Sequence, residues 1–188
     1  MQSLNYKFYK KAFDRYGVSA KGVHWNSKKN QYIRFNVLLS FINQDIENST
    51  ILDIGCGFAE LIEFLKIKEI YPKEYLGIDC EKFMIESSQK RFPYENFLQC
   101  DILKDKIPTK DYLICSGAFN ILEKKEFFES IEKCFNASNK GFIFNFLTKD
   151  SFNKVNKDEV INFCEKLSNK VLLSSPYLPN DTTVLLKK

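Results

Sequence analysis

The sequence has 188 residues, of which 44% are hydrophobic, 28% charged and 15% aromatic. That is the length of one domain, with apolar content enough for a real core, which excludes wholesale disorder. The formal charge is +4, but the lysines are scattered among acids, as in EIYPKE and LEKKEFFES, and arginine stands only at Arg15, Arg34 and Arg91. Such a surface is a solvated one and argues against a nucleic-acid face.

The longest apolar runs, such as Gly141–Leu147, are strand-sized and fall well short of a membrane helix. The amino-terminal stretch is charged throughout and carries no signal-peptide apolar run. A soluble, cytoplasmic protein is therefore expected. The six cysteines show no C-x-x-C spacing and His24 is the single histidine, so materials for a metal site are lacking. The cysteines read as reduced, buried hydrophobes.

In chain order, Tyr6, Tyr9, Phe13 and Tyr16 fall at helical spacing and predict an amphipathic helix ended by Gly17. A loop through His24 and Trp25 precedes a second helix from about Lys29 to Phe41. From residue 50 short apolar runs alternate with helix-sized amphipathic stretches. The runs are Thr50–Ile54, Tyr75–Ile78, Asn96–Gln99, Asp111–Ser116, Lys140–Leu147, Lys170–Ser175 and Thr183–Leu186. Helices are expected near 58–68, 81–92, 123–135 and 157–168, with only a loop between the third and fourth strands. This alternation predicts a doubly wound α/β domain with a mostly parallel sheet covered on both faces. The segment from Pro176 to Asp181 is too short for a crossover helix, so the last strand should turn back antiparallel. The whole of 1–188 reads as one domain, with a helical cap over 1–46 and an α/β core over 47–188.

Ligands of such sheets bind beyond the carboxyl ends of the strands. After the first strand comes Asp53-Ile-Gly55-Cys56-Gly57-Phe-Ala-Glu60, two glycines between a strand and a helix. After the second come Asp79 and Cys80, the acid lying 22 residues past Gly57, near the offset for holding a ribose diol. Asp79 also suits the N-cap of the next helix. Asp101 and Ile102 follow the third strand, an acid for an exocyclic adenine amino group and an apolar wall for the ring, or else an ordinary loop acid. Ser116 and Gly117 follow the fourth, small groups that leave room for a ligand, with Phe119 a candidate substrate contact and Asn120 both donor and acceptor, or else the stretch is an ordinary turn. A dinucleotide fits poorly: position 60, where its fingerprint has a third glycine, holds Glu60, a carboxylate in the first helical turn. A phosphate-free ligand with a cationic amino group, such as S-adenosylmethionine, fits better.

The stretches ILDIGCGFAE, YLGIDCEKFMIESSQKRF, FLQCDIL and DYLICSGAFNIL together resemble the motifs of the class I S-adenosylmethionine-dependent methyltransferases, over roughly residues 48–188. The resemblance implies a seven-stranded Rossmann-like sheet with its last strand reversed. It implies that Asp53, Gly55, Cys56 and Gly57 line the methionine portion of S-adenosylmethionine. Asp79 and Cys80 would then serve the ribose, Asp101 and Ile102 the adenine, and Ser116 to Asn120 the neighbourhood of the methyl group. Ala59 departs from the pattern, standing where many members have a third glycine. The upstream VHWNSKKNQYIRFNVLL resembles the amino-terminal segment of a small branch of the same superfamily.

Arg34 is a candidate clamp for the methionyl carboxylate. Trp25 and Tyr32 are candidate walls of an acceptor pocket, or else staples between helices and sheet. His24 is the candidate general base and Asn120 a second candidate catalytic group, though a carboxylate acceptor needs no base. The expected activity is methyl transfer to a small-molecule acceptor. The alternatives are methylation of RNA or protein, or a non-catalytic S-adenosylmethionine-binding regulatory protein.

Overall fold

A computed structural model of the chain describes residues 4–19, 22, 27–149 and 151–188. The short apolar runs become β1 (Thr50–Ile54), β2 (Glu74–Asp79), β3 (Asn96–Gln99), β4 (Lys110–Ser116), β5 (Ser138–Leu147), β6 (Lys170–Ser174) and β7 (Asp181–Lys187). They form one sheet in the order β3-β2-β1-β4-β5-β7-β6. Every pair from β3 to β5 is parallel, and β7 lies antiparallel between β5 and β6. The short link after β6 dictates this reversal, as expected. The chain builds outward from β1 to β3 and then returns to place β4 beside β1. The carboxyl ends of β1 and β4 are thus the switch point where such sheets bind ligands.

The helices are α1 (Leu4–Tyr16), α2 (Lys28–Ser40), α3 (Glu60–Ile67), α4 (Lys82–Arg91), α5 (Lys124–Ala137) and α6 (Lys157–Leu167). Caps decide several of the starts. Ser27 accepts from the Asn30 amide at 3.1 Å, which sets α2 one residue earlier than the periodicity suggests. Asn156 does the same for α6 through Glu159 at 2.9 Å. α3 begins two residues later than expected because the chain before it is in a left-handed turn.

Two apolar layers flank the sheet. On one face Phe142, Phe144 and Phe146 of β5 pack with Phe119, Phe127 and Ile131, all buried. On the other, Ile51, Ile114, Ile143 and Leu185 meet Phe35, Leu38 and Leu39 of α2 and Leu61, Phe64 and Leu65 of α3. α2 runs down this second face from the carboxyl edge. At its middle Arg34 reaches Asp181 at the beginning of β7. Just past its end, Asp45 meets Lys140 and the Tyr112 hydroxyl at the opposite edge. Five of the six cysteines are buried as expected; Cys80 is exposed.

Candidate functional site

The turn after β1 passes through Gly55 (φ 67°), Gly57 (φ 54°) and Ala59 (φ 64°), all left-handed. A Cβ on Gly55 would lie 2.3 Å from the Ala118 Cβ, so the β1 and β4 rims touch there and only glycine fits. Gly57 is held from both sides. Its amide donates to Asp79 Oδ2 at 3.0 Å, and its carbonyl accepts from the Ser88 hydroxyl at 2.8 Å. The Arg91 guanidinium donates to the Phe58 carbonyl. Ala59 takes the place of a third glycine; its methyl is buried in the α2–α3 layer, which offsets the cost of its backbone conformation.

Asp79 closes β2, and its other oxygen accepts from the Glu81 amide at 2.9 Å. It thus turns the chain toward α4, whose N-cap is Glu81 and not Asp79, and braces the glycine turn at once. An ionised carboxylate has about four lone-pair positions, so acceptor capacity remains for a diol. Burial raises its pKa above the usual carboxylate value, although the amides of Glu81, Gly57 and Cys80 oppose the shift. The exposed Cys80 thiol leans toward Glu81. Asp101 accepts from the Leu103 amide at 3.0 Å and pairs with Lys104, while Ile102 packs at the margin of the phenylalanine layer. Gly117 is left-handed (φ 73°) and opens the 3-10 turn Ala118–Ile121. The half-buried Ser116 lies just before it, its Oγ without a partner.

α1 packs over this rim. Phe13 sits 5.4 Å from the Phe58 ring and 5.3 Å from that of Phe83 at the start of α4, and Tyr6 stands 6.0 Å from Phe83. Ala12 is buried beneath it. Burial, and then the charge of Asp79, hold the Tyr9 phenol well above its usual pKa.

Several expected site residues do other work. Asp53 points onto the α2–α3 face, where it is 3% exposed and accepts from the Tyr75 hydroxyl at 2.7 Å. Its burial lifts its pKa to about 7, against the Tyr75 hydrogen bond and with the Asp79 charge. It supports the rim from below. Cys56 is buried against Gly77, and its thiol points to the Gly57 carbonyl at 4.0 Å.

Arg34 does not stand free to clamp a carboxylate: its Nε and Nη2 bond Asp181 at 2.8 and 2.7 Å in a buried pair. Asn120 Oδ1 accepts from the Leu147 amide at 3.0 Å, tying the β4 and β5 ends together. Phe119 is core, 1% exposed and ringed by Phe127, Phe142 and Phe144, so it is no pocket wall. Tyr32 stacks edge-on against Phe64 at 4.8 Å and staples α2 to α3. Glu60 is not a bare charge: Arg91 bonds it at 2.7 Å and Lys28 lies 3.9 Å away. The electrostatic case against a diphosphate therefore loses its footing, and the missing third glycine carries what remains. His24 and Trp25 lie outside the described residues.

Sequence reasoning missed Ser88 and Arg91, the anchors of the turn, because they lie a helix away from the motif. It also missed Asn145, although a polar residue inside the apolar run FIFNF was a usable signal.

A doubly wound sheet of seven strands with only β7 reversed is the Rossmann-like fold of S-adenosylmethionine-dependent methyltransferases. Residues 51–141 match the family model described as a methyltransferase domain. The chain is similar to magnesium protoporphyrin IX methyltransferase from Synechocystis PCC 6803, solved with S-adenosylmethionine. The TM-score is 0.72 and the identity 14%, over 98% of this chain and 94% of that one. It is also similar to an S-adenosylmethionine-dependent methyltransferase from Clostridium acetobutylicum, with TM-score 0.67 and 12% identity over 97% and 98% of the two chains. Among curated proteins, an uncharacterized protein of Rickettsia prowazekii is 30% identical over 112 residues. That alignment spans 52% of this chain and 43% of the relative's length. The family resemblance seen in the motifs is thus borne out in the fold and the family model.

Proposed function

We propose that this chain transfers a methyl group from S-adenosylmethionine to a small-molecule acceptor. The observation that carries the reading is the Asp79 carboxylate fastened to the Gly57 amide, which sets an acceptor for a ribose diol beside a glycine turn. The residues present fit the cofactor: spare lone pairs on Asp79, a close backbone turn at Gly55 and Gly57, and the small Ser116-Gly117-Ala118 rim opposite. Asp101 and Ile102 stand where the adenine end would lie, and α1 with Tyr9 roofs the adenosyl portion. Bound there, the cofactor supplies a methyl on a sulfonium; the acceptor's lone pair forms the new bond as carbon–sulfur breaks and its electron pair stays on sulfur. What the protein contributes is alignment and exclusion of water.

A small acceptor is favoured over a nucleic acid because the lysines are scattered among acids and several of them are paired with carboxylates. Lys28 pairs with Glu63, Lys66 with Glu95, Lys124 with Glu159 and Lys140 with Asp45. Incubation of a cell extract with labelled methyl donor and the protein tests this. Label in a low-molecular-weight product supports the reading, and label confined to RNA or protein overturns the choice of acceptor. Binding of the donor without any transfer would make the chain a regulatory binder.

A further inference from the structure

Among the described residues, three side-chain oxygens, Gln31 Oε1, Ser116 Oγ and Asn145 Oδ1, are buried without a hydrogen-bonding partner. The fold gathers them. Ser116 and Asn145 are register partners at the carboxyl ends of β4 and β5. By strand alternation they lie on the same face as Ile114 and Ile143, the face that α2 covers. Gln31 lies one helical turn before Arg34, which reaches Asp181, and Asp181 in turn accepts from Asn145 Nδ2 at 3.1 Å. Gln31 is therefore one turn closer to the rim than the Arg34–Asp181 pair.

The chemistry of the trio is defined. Asp181 takes both Arg34 nitrogens and the Asn145 amide nitrogen, and a carboxylate only accepts. That fixes which prong of the Asn145 amide is oxygen; the Tyr177 hydroxyl also lies against this amide, and among the described residues no donor bonds the carbonyl. Gln31 presents a second carbonyl oxygen, and Ser116 a hydroxyl that adapts to either role. Gln31 and Asn145 are 4% and 0% exposed, so bulk water does not satisfy them. Buried acceptors without donors are unfavourable, and a group with two N–H bonds would answer both carbonyls. A carboxylate would bring only further lone pairs.

We propose that Gln31, Ser116 and Asn145 form the acceptor-recognition subsite and that the acceptor presents an amino group. This rests on the methyltransferase reading above and narrows the acceptor chemistry it left open. Arg34 and Asp181 are positioning residues, since they reach the acceptor through the Asn145 amide.

The test begins with S-adenosylhomocysteine titrated into the full chain; absence of binding there defeats the methyltransferase reading itself. With that ligand saturating, saturation-transfer NMR compares matched probes, benzylamine against phenylacetate and hexylamine against heptanoate. The subsite predicts signals for the amines and none for the carboxylates. Gln31→Leu keeps the side-chain volume and removes the carbonyl. It should leave the melting temperature unchanged or raised and S-adenosylhomocysteine affinity unchanged, while weakening the amine signals tenfold or more. Ser116→Ala serves as the second variant should Gln31→Leu not fold, with the same loss expected. Carboxylates binding as well as amines, no amine signal, or amine signals unaltered by the substitution would each overturn the proposal. The last result would mean that a buried water satisfies these oxygens.

Discussion

Gly55 and Ala118 meet so closely that a Cβ on Gly55 would come within 2.3 Å of the Ala118 Cβ, which locks the β1 turn against the β4 turn. Gly55→Ala therefore pays twice, in left-handed backbone strain of about 1–2 kcal/mol and in overpacking of about 1–3 kcal/mol. Urea unfolding should show a loss near the sum, about 3 kcal/mol. The double variant Gly55→Ala/Ala118→Gly should recover the overpacking part and keep the strain. Equal stabilities of the single and double variants would mean the contact is not as described.

Asp79 holds the amides of Gly57 and Glu81, so Asp79→Ala orphans two donors. The expected cost is about 1–3 kcal/mol in stability. Calorimetry should also show S-adenosylhomocysteine affinity falling at least about tenfold, or roughly 1.4 kcal/mol. Unchanged affinity would remove Asp79 from the ribose position.

The Arg34–Asp181 pair is buried. Losing one partner strands the other charge, so Arg34→Met should destabilise by about 3–5 kcal/mol, and Arg34→Met with Asp181→Leu by less. Neither should change S-adenosylhomocysteine affinity in the folded protein. A selective loss of that affinity in Arg34→Met would restore Arg34 as a carboxylate clamp.

Asp53 makes stability depend on pH in the sense opposite to that of a salt-bridged acid. Burial is the main cause of its folded pKa near 7, above the ordinary carboxylate value of about 4. Between those values the folded state binds more protons than the unfolded state. This contribution is thus greatest at low pH and is lost as pH rises through 7. Asp53→Asn keeps an acceptor for Tyr75 and cannot titrate. Urea midpoints of the wild type, referenced to Asp53→Asn, should fall from pH 4 to 7.5. A flat difference would contradict the assignment.

The doubly wound, mostly parallel sheet was legible because apolar runs and helical stretches alternate in the chain, and the short link after β6 left β7 only one direction. The left-handed turn at Gly55 and Gly57 and the acid Asp79 closing β2 beside it were legible as geometry, because backbone freedom and an acid at a fixed offset are written locally. Arg34, Asn120 and Phe119 were not, because a side chain's partner depends on strands far along the chain: Asp181, the Leu147 amide and the β5 phenylalanines. Asp53 misled for a related reason. Its place at the end of β1 was clear, but its partner, the Tyr75 hydroxyl, stands on the neighbouring strand.

The most direct measurement is calorimetric titration of the full chain with S-adenosylmethionine and, separately, with NAD. The account predicts saturable one-to-one binding of S-adenosylmethionine and no heat from NAD. Binding of NAD, or of neither ligand, would contradict it.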